Sequence, residues 1–205
     1  GFMLSFNGAR ITRCSDNAII YNKVIPHEVI RPIYETVKEY PGLDLISYTD
    51  KVILSGIKSN EYTEKEAAIN SMEIYPVEDL PSVLDFPVNK MLIPGEPAIL
   101  EELMPKLQKQ YHGLLNIYRS EPFFLEIMPQ NIDKAHSLQK LLNSIGLTAD
   151  SMICCGDGFN DLSMIEYAGL GVAMENAQPV VKDSADFITK SNDEDGILHV
   201  VNLFM

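Results

Sequence analysis

The chain has 205 residues, which is enough for one large domain or for a core with a smaller inserted unit. Its formal net charge of −13 argues against a nucleic acid or an anionic membrane surface as partner, because both are bound through clustered Lys and Arg. No apolar run approaches the ~20 residues of a membrane helix, so we expect a cytoplasmic protein.

The first part of the chain predicts short strands mixed with three helices. Met3 to Ile11 has the pattern of a strand running into an Asn-Gly turn, and Pro26 is placed to open an amphipathic helix. The predicted helices cover residues 27–40, 61–70 and 97–111. The predicted strands are residues 17–21, 43–49, 51–57, 90–93, 114–118 and 123–127.

The last third of the chain alternates helices and strands. The predicted helices are 134–145, 161–168, 180–184 and 196–204, and the predicted strands are 151–155, 171–174 and 187–189. Such alternation is typical of a parallel sheet with helices on both faces. We therefore predict an α/β protein with a Rossmann-like core, formed by residues 1–15 and 120–205, and an inserted α+β unit at 16–119.

The segment Gly156-Asp157-Gly158-Phe159-Asn160-Asp161 follows an apolar strand and begins a helix. Ligands of open α/β sheets bind at such carboxyl ends of strands, and carboxylates there can hold Mg²⁺. A plain alternative is an Asp-Gly turn followed by helix-capping side chains. Two acids and an amide within five residues favour a site.

This segment, together with residues 164–177 and 189–196, resembles the fourth motif and C-terminal run of Cof-type phosphatases of the haloacid dehalogenase superfamily. The resemblance implies a Mg²⁺-dependent phosphatase with a cap domain, acting on small phosphorylated metabolites such as sugar phosphates. It also implies that Asp157 is a direct Mg²⁺ ligand, that Asn160 touches the substrate phosphate, and that Asp161 supports the metal shell.

The segment Glu126 to Ala135 resembles the third motif of the same family, with Lys134 at a helix start. A lysine there is electrostatically unfavourable because the helix dipole favours anions at its N-terminus, which hints at a function other than helix stability. The resemblance makes Lys134 the group that neutralises the nucleophile and the phosphate.

Two motifs of the family are not found in this sequence. They are the Asp-x-Asp-Gly-Thr that carries the nucleophile and the Ser or Thr before Gly-Arg, and both would precede the turn at Asn7-Gly8. We therefore expect the nucleophile upstream of residue 1 and the 205-residue chain alone to be inactive.

Three alternatives stay open at this point. The chain could be a catalytically incomplete fragment, a non-catalytic module that binds phosphate and metal, or a mutase or phosphonate-type hydrolase of the same superfamily. Asp193-Glu194-Asp195-Gly196 has the letters of the first motif but does not follow an apolar strand, so a capping loop is the better interpretation.

Overall fold

A computed structural model describes residues 1–205. The chain forms two compact units, residues 1–21 with 132–205 (unit 1) and residues 22–131 (unit 2). The mixed α/β fold class of the chain is as predicted. None of the helices combines the length and the apolar character that a membrane-spanning helix needs.

Unit 1 contains a parallel three-stranded sheet in the order β10-β11-β12. Its N-terminal residues form β1 and β2, an antiparallel pair that β3 extends into a second sheet. The elements are β1 (Phe2–Ser5), β2 (Arg10–Arg13), β3 (Ile19–Asn22), α5 (Lys134–Ser144), β10 (Ile153–Gly156), α6 (Leu162–Tyr167), β11 (Leu170–Ala173), α7 (Pro179–Asp183), β12 (Phe187–Ile188) and α8 (Gly196–Phe204).

Unit 2 is a six-stranded sheet in the order β6-β5-β4-β7-β9-β8. Its pairs are antiparallel except β5–β6. The elements are α1 (His27–Lys38), β4 (Ile46–Tyr48), β5 (Val52–Ser55), α2 (Glu61–Asn70), β6 (Glu73–Pro76), α3 (Leu80–Val83), β7 (Met91–Pro94), α4 (Pro97–Gln110), β8 (Leu115–Glu121) and β9 (Phe124–Pro129).

The core of unit 2 is explained by the periodicity of its helices. Val29, Ile30, Ile33 and Val37 lie at helical spacing in α1 and are all buried. They share one hydrophobic cluster with Leu100, Leu103 and Leu107 of α4 and with residues from the sheet. A smaller cluster, which includes Ile46, Leu92 and Ala67, packs α2 against strands of the same sheet.

The boundaries of the two units differ from those predicted at 15/16 and 119/120. Residues 123–127 were assigned to the core, but β9 pairs with β7 over Met91↔Ile127 and with β8 over Leu115↔Pro129. Because both neighbours of β9 belong to unit 2, the whole hairpin is part of that unit. The alternation of side chains predicts a strand but does not identify its pairing partner.

Asp44 is a fully buried carboxylate that ties three elements of unit 2 together. Its oxygens accept hydrogen bonds from Leu45 N at 2.8 Å, Ile57 N at 3.0 Å, Ser55 Oγ at 2.7 Å and Thr63 Oγ1 at 3.1 Å. The strand β4, the end of β5 and the first turn of α2 therefore meet at one side chain.

We expect Asp44→Ala to lower the free energy of unfolding by about 3–5 kcal/mol, because it leaves several buried donors without an acceptor. The measurement is urea unfolding followed by circular dichroism. The matched control is Asp85→Ala, which removes an exposed carboxylate from the same unit and should change stability by less than about 0.5 kcal/mol. Equal losses in the two variants would contradict the structural role of Asp44.

Candidate active site

The site begins where the first strand of the parallel sheet ends. β10 ends at Gly156, and Asp157, Gly158 and a short 3₁₀ turn (Phe159–Asp161) lead directly into α6. The loop is fixed by backbone hydrogen bonds, because Gly156 O accepts from Met174 N and Asp157 O from Gln178 N. The loops after β10 and β11 are therefore held side by side at the carboxyl edge of the sheet.

The side chain of Asp161 packs against the loop that follows β10. Its Oδ2 accepts from the backbone N–H of Asp157 at 3.0 Å and of Gly158 at 3.1 Å, and its Oδ1 accepts from Lys134 Nζ. The side chain is only 8% exposed. Gly156 is required beneath it, because a Cβ there would lie 2.8 Å from Asp161 Oδ2 and closer still to its carbons.

The pKa of Asp161 reflects two opposing effects. Burial alone would raise the pKa of this carboxyl, but the hydrogen bonds from Lys134, Gly158 and Asp157 and the positive charge of Lys134 outweigh it. The net result is a pKa below the ordinary value of 3.8, so Asp161 is ionised at neutral pH.

Lys134 is the first residue of α5 and reaches Asp161 from that position. Asp133 caps the helix by accepting from His136 N at 2.8 Å, and it also accepts from Ser163 Oγ of α6 at 3.4 Å. The Lys134 side chain is 27% exposed, and one of its three ammonium donors faces Asp161. The remaining two are available to an anion.

Asp157 and Asn160 are exposed at the same loop. Asp157 Oδ2 accepts one N–H, from Asn176 Nδ2 at 3.0 Å, and Asn160 Nδ2 lies 3.4 Å from Asn7 Oδ1. The structure thus brings together all four side chains singled out in the sequence: Lys134, Asp157, Asn160 and Asp161.

Two contributors to the site, Asn7 and Asn176, were not assigned a role from sequence. Asn7 belongs to the turn between β1 and β2, where Phe6, Asn7 and Gly8 all have positive φ. Ser137 Oγ of α5 donates to Gly8 O at 2.7 Å and lies where a Cβ on Gly8 would point. The turn is therefore fixed against the helix that carries Lys134, and strained backbone of this kind is often found at functional sites.

The donor set of the loop fits a hard divalent cation in part. Asp157 offers an exposed carboxylate oxygen, the ligand type that Mg²⁺ prefers, whereas the oxygens of Asp161 already accept from three N–H groups. No group of three His, Cys, Asp or Glu side chains could hold a metal ion. Since Mg²⁺ is usually held by one or two carboxylates, with waters and substrate phosphate completing its shell, Asp157 fits as a ligand and Asp161 as its support.

The two cysteines of β10 do not add a nucleophile. Burial raises the pKa of Cys154 to about 11 and also raises the pKa of Cys155. Since the thiolate is the reactive form, these side chains are inert packing residues at neutral pH.

The model of a family described as haloacid dehalogenase-like hydrolases matches residues 1–201. The chain belongs to this family. A crystal structure of a haloacid dehalogenase-like hydrolase from Bacteroides thetaiotaomicron is 41% identical, with a TM-score of 0.94, and the match covers 100% of this chain and 77% of that one. The structure of TM0651 from Thermotoga maritima is 32% identical, with a TM-score of 0.85, over 97% of this chain and 74% of that one.

Sequence similarity also extends to an enzyme with a named substrate. The 5-amino-6-(5-phospho-D-ribitylamino)uracil phosphatase YcsE of Bacillus subtilis is 41% identical over 103 residues, which are 50% of this chain and 41% of that enzyme. The resemblance drawn from residues 126–135 and 156–196 is thereby confirmed at the level of the family and of phosphatase relatives.

Proposed function

We propose that this protein hydrolyses small phosphate monoesters in a Mg²⁺-dependent reaction through an aspartyl-phosphate. The observation that carries the proposal is the pairing of Lys134 with buried Asp161 beside the exposed carboxylate of Asp157. A cationic group and a metal-binding oxygen at the carboxyl edge of a parallel sheet meet the main need of phosphoryl transfer, which is stabilisation of negative charge.

Each of the four side chains has a role in this proposal. Lys134 donates to phosphate oxygens with the ammonium hydrogens that Asp161 does not use, and Asp161 holds the lysine in place. Asn160 donates its exposed amide to the same phosphate. Asp157 contributes an oxygen ligand to Mg²⁺, which when bound supplies positive charge to the phosphate.

The nucleophile is proposed to be an aspartate that precedes residue 1, as the family resemblance implies. Its carboxylate would attack phosphorus, the bond from phosphorus to the ester oxygen would break, and an acid would protonate the departing alcohol. Water would then hydrolyse the aspartyl-phosphate and release inorganic phosphate. On this proposal the 205-residue chain alone binds metal and phosphate but does not turn over.

For the substrate class we propose phosphorylated sugars or polyols, with unit 2 acting as the cap that selects among them. The similarity to a phosphatase of a ribityl phosphate supports this choice.

The test is release of inorganic phosphate from a panel of sugar, polyol, nucleotide and aryl phosphates. It should compare the 205-residue chain with a version extended by the residues encoded upstream. We expect turnover only in the extended protein and the highest kcat/KM on a sugar or polyol phosphate. Turnover by the 205 residues alone would overturn the location of the nucleophile, and a preference for nucleotides would overturn the substrate class.

A further inference from the structure

Asn176 lies in the loop after β11 and uses both ends of its amide. Its Nδ2 donates to Asp157 Oδ2 at 3.0 Å, and its Oδ1 accepts from the backbone N–H of Asn192 at 3.0 Å. A backbone N–H can only donate, so the carbonyl end of Asn176 must face Asn192. The amino end is then obliged to face the carboxylate of Asp157.

Asn192, which donates to the carbonyl end of the Asn176 amide, lies in a turn that is held by its own hydrogen bonds. Asn192 begins a 3₁₀ turn (Asn192–Glu194) that leads into α8, and the turn is closed by Gly196 N donating to Ser191 O at 3.1 Å. Ser191 Oγ donates to Glu194 Oε2 at 2.8 Å, and Glu175 N donates to Lys190 O at 3.3 Å. Asn176 therefore connects Asp157 to a fixed turn and not to a free loop.

We propose that Asn176 is a positioning residue for the cation site. It holds one oxygen of Asp157 through a hydrogen bond, directs the other oxygen to the cation, and connects cation binding to the turn at Asn192. The inference rests on the proposed function, because it takes Asp157 as a Mg²⁺ ligand. Groups that orient a metal ligand are commonly worth 10–100-fold in metal affinity.

The variant that tests this is Asn176→Ala, which removes both hydrogen bonds from an exposed position. We expect the dissociation constant for Mg²⁺, measured by calorimetry in the extended protein, to rise about 10- to 100-fold. At saturating Mg²⁺ the KM for a phosphate ester should change less than about twofold, because both hydrogen bonds of the Asn176 side chain go to Asp157 and Asn192 and the proposal gives it no contact with the substrate. A purely structural role would instead lower the thermal midpoint and leave the Mg²⁺ affinity of the folded protein unchanged.

The matched control is Asn192→Ala. This variant removes a side chain that bonds only Asp193, at 3.2 Å, and keeps the backbone N–H that Asn176 needs. It should bind Mg²⁺ like the wild type. A loss of affinity as large as that of Asn176→Ala would overturn the proposal.

A second readout does not depend on catalysis. The experiment is a Mg²⁺ titration followed by ¹⁵N NMR. In the wild type, the backbone amide resonances of Asp157 and Asn192 should shift together with the side-chain amide resonance of Asn176. In Asn176→Ala, the shift at Asn192 should be abolished. If the Asp157 resonance shifts and the Asn192 resonance does not, the positioning role of Asn176 is wrong, but the metal site stands. If Mg²⁺ shifts none of these resonances in the wild type, the proposed metal site itself fails.

Discussion

Replacing Lys134 with Met should abolish most of the phosphatase activity of the extended protein and also destabilise unit 1. Asp161 would remain buried with its charge no longer paired to a cation. Removing one partner of a buried charge pair costs about 3–5 kcal/mol, and we expect about 2–3 kcal/mol because Lys134 is 27% exposed. The loss of one charge-stabilising donor at the phosphate should reduce kcat by about 10²–10³-fold.

The stability loss of Lys134→Met should depend on pH in a definite direction. The pKa of Asp161 is lowered in the folded protein, so its pairing stabilises the fold above the ordinary pKa of 3.8, and this stabilisation is lost as the pH falls through the lowered folded value. In the variant Asp161 has no lysine partner, so protonation of Asp161 at low pH costs the variant less stability than it costs the wild type. The stability loss of the variant should therefore be largest at neutral pH and become smaller as the pH falls below 3.8.

Urea unfolding at pH 7 and in steps below pH 4 measures this difference. Lys140→Met removes an exposed lysine of the same helix, whose ammonium lies 5.5 Å from the Tyr21 ring, and should cost less than about 1 kcal/mol. In a double-mutant cycle, Lys134→Met with Asp161→Asn should be more stable than the sum of the single variants predicts. Additive losses would contradict the coupling of the two side chains.

Substituting Gly156 with Ala should destabilise unit 1 and reduce activity, because the substitution crowds Asp161. The new Cβ would lie 2.7 Å from Asp161 Cγ and 2.8 Å from its Oδ2. Asp161 cannot move away, because three N–H groups hold it. We expect a loss of about 1–3 kcal/mol in the free energy of unfolding and a loss of activity, since any shift of Asp161 also moves Lys134.

Gly158→Ala is the matched control for this substitution, two residues along the same loop. Its Cβ would meet Asn160 Oδ1 at 2.8 Å, which is the end of an exposed side chain that can rotate. The stability of this variant should change by less than about 1 kcal/mol, whereas its KM for substrate should rise because Asn160 is displaced. Chemical unfolding and steady-state kinetics distinguish the two variants. Similar stability losses would contradict the requirement for glycine at position 156 beneath Asp161.

The elements with strong local signals were predicted closely from the sequence. The helices at 61–70 and 196–204 have the predicted bounds. In α2, Asn60 caps the helix by accepting from Thr63 N. The strand β6 (Glu73–Pro76) was missed, because polar and apolar residues do not alternate along it. It is held as a strand by its parallel pairing with β5.

The site residues that lie in recognisable sequence motifs could be predicted. The contacts that depend on how the elements pack together could not. Lys134, Asp157, Asn160 and Asp161 lie in two recognisable segments, and the fold brings both segments together. Asn176 lies in the run 164–177 that carries the resemblance, but its contact with Asp157 follows only from the parallel pairing of β11 with β10, which places the ends of the two strands side by side. The contact between Gly8 and Ser137, two residues far apart in sequence, has no local signal at all.

In the proposed function, Asp157 makes phosphate ester hydrolysis dependent on Mg²⁺. The most direct test is inorganic phosphate release by the extended protein, with and without Mg²⁺, in the wild type, in Asp157→Asn and in Glu166→Gln, which removes an exposed charge from α6. We predict Mg²⁺-dependent turnover in the wild type and in Glu166→Gln, and a loss of at least about 10²-fold in Asp157→Asn. If Asp157→Asn keeps the wild-type rate and the wild-type Mg²⁺ affinity, Asp157 is not the Mg²⁺ ligand on which turnover depends.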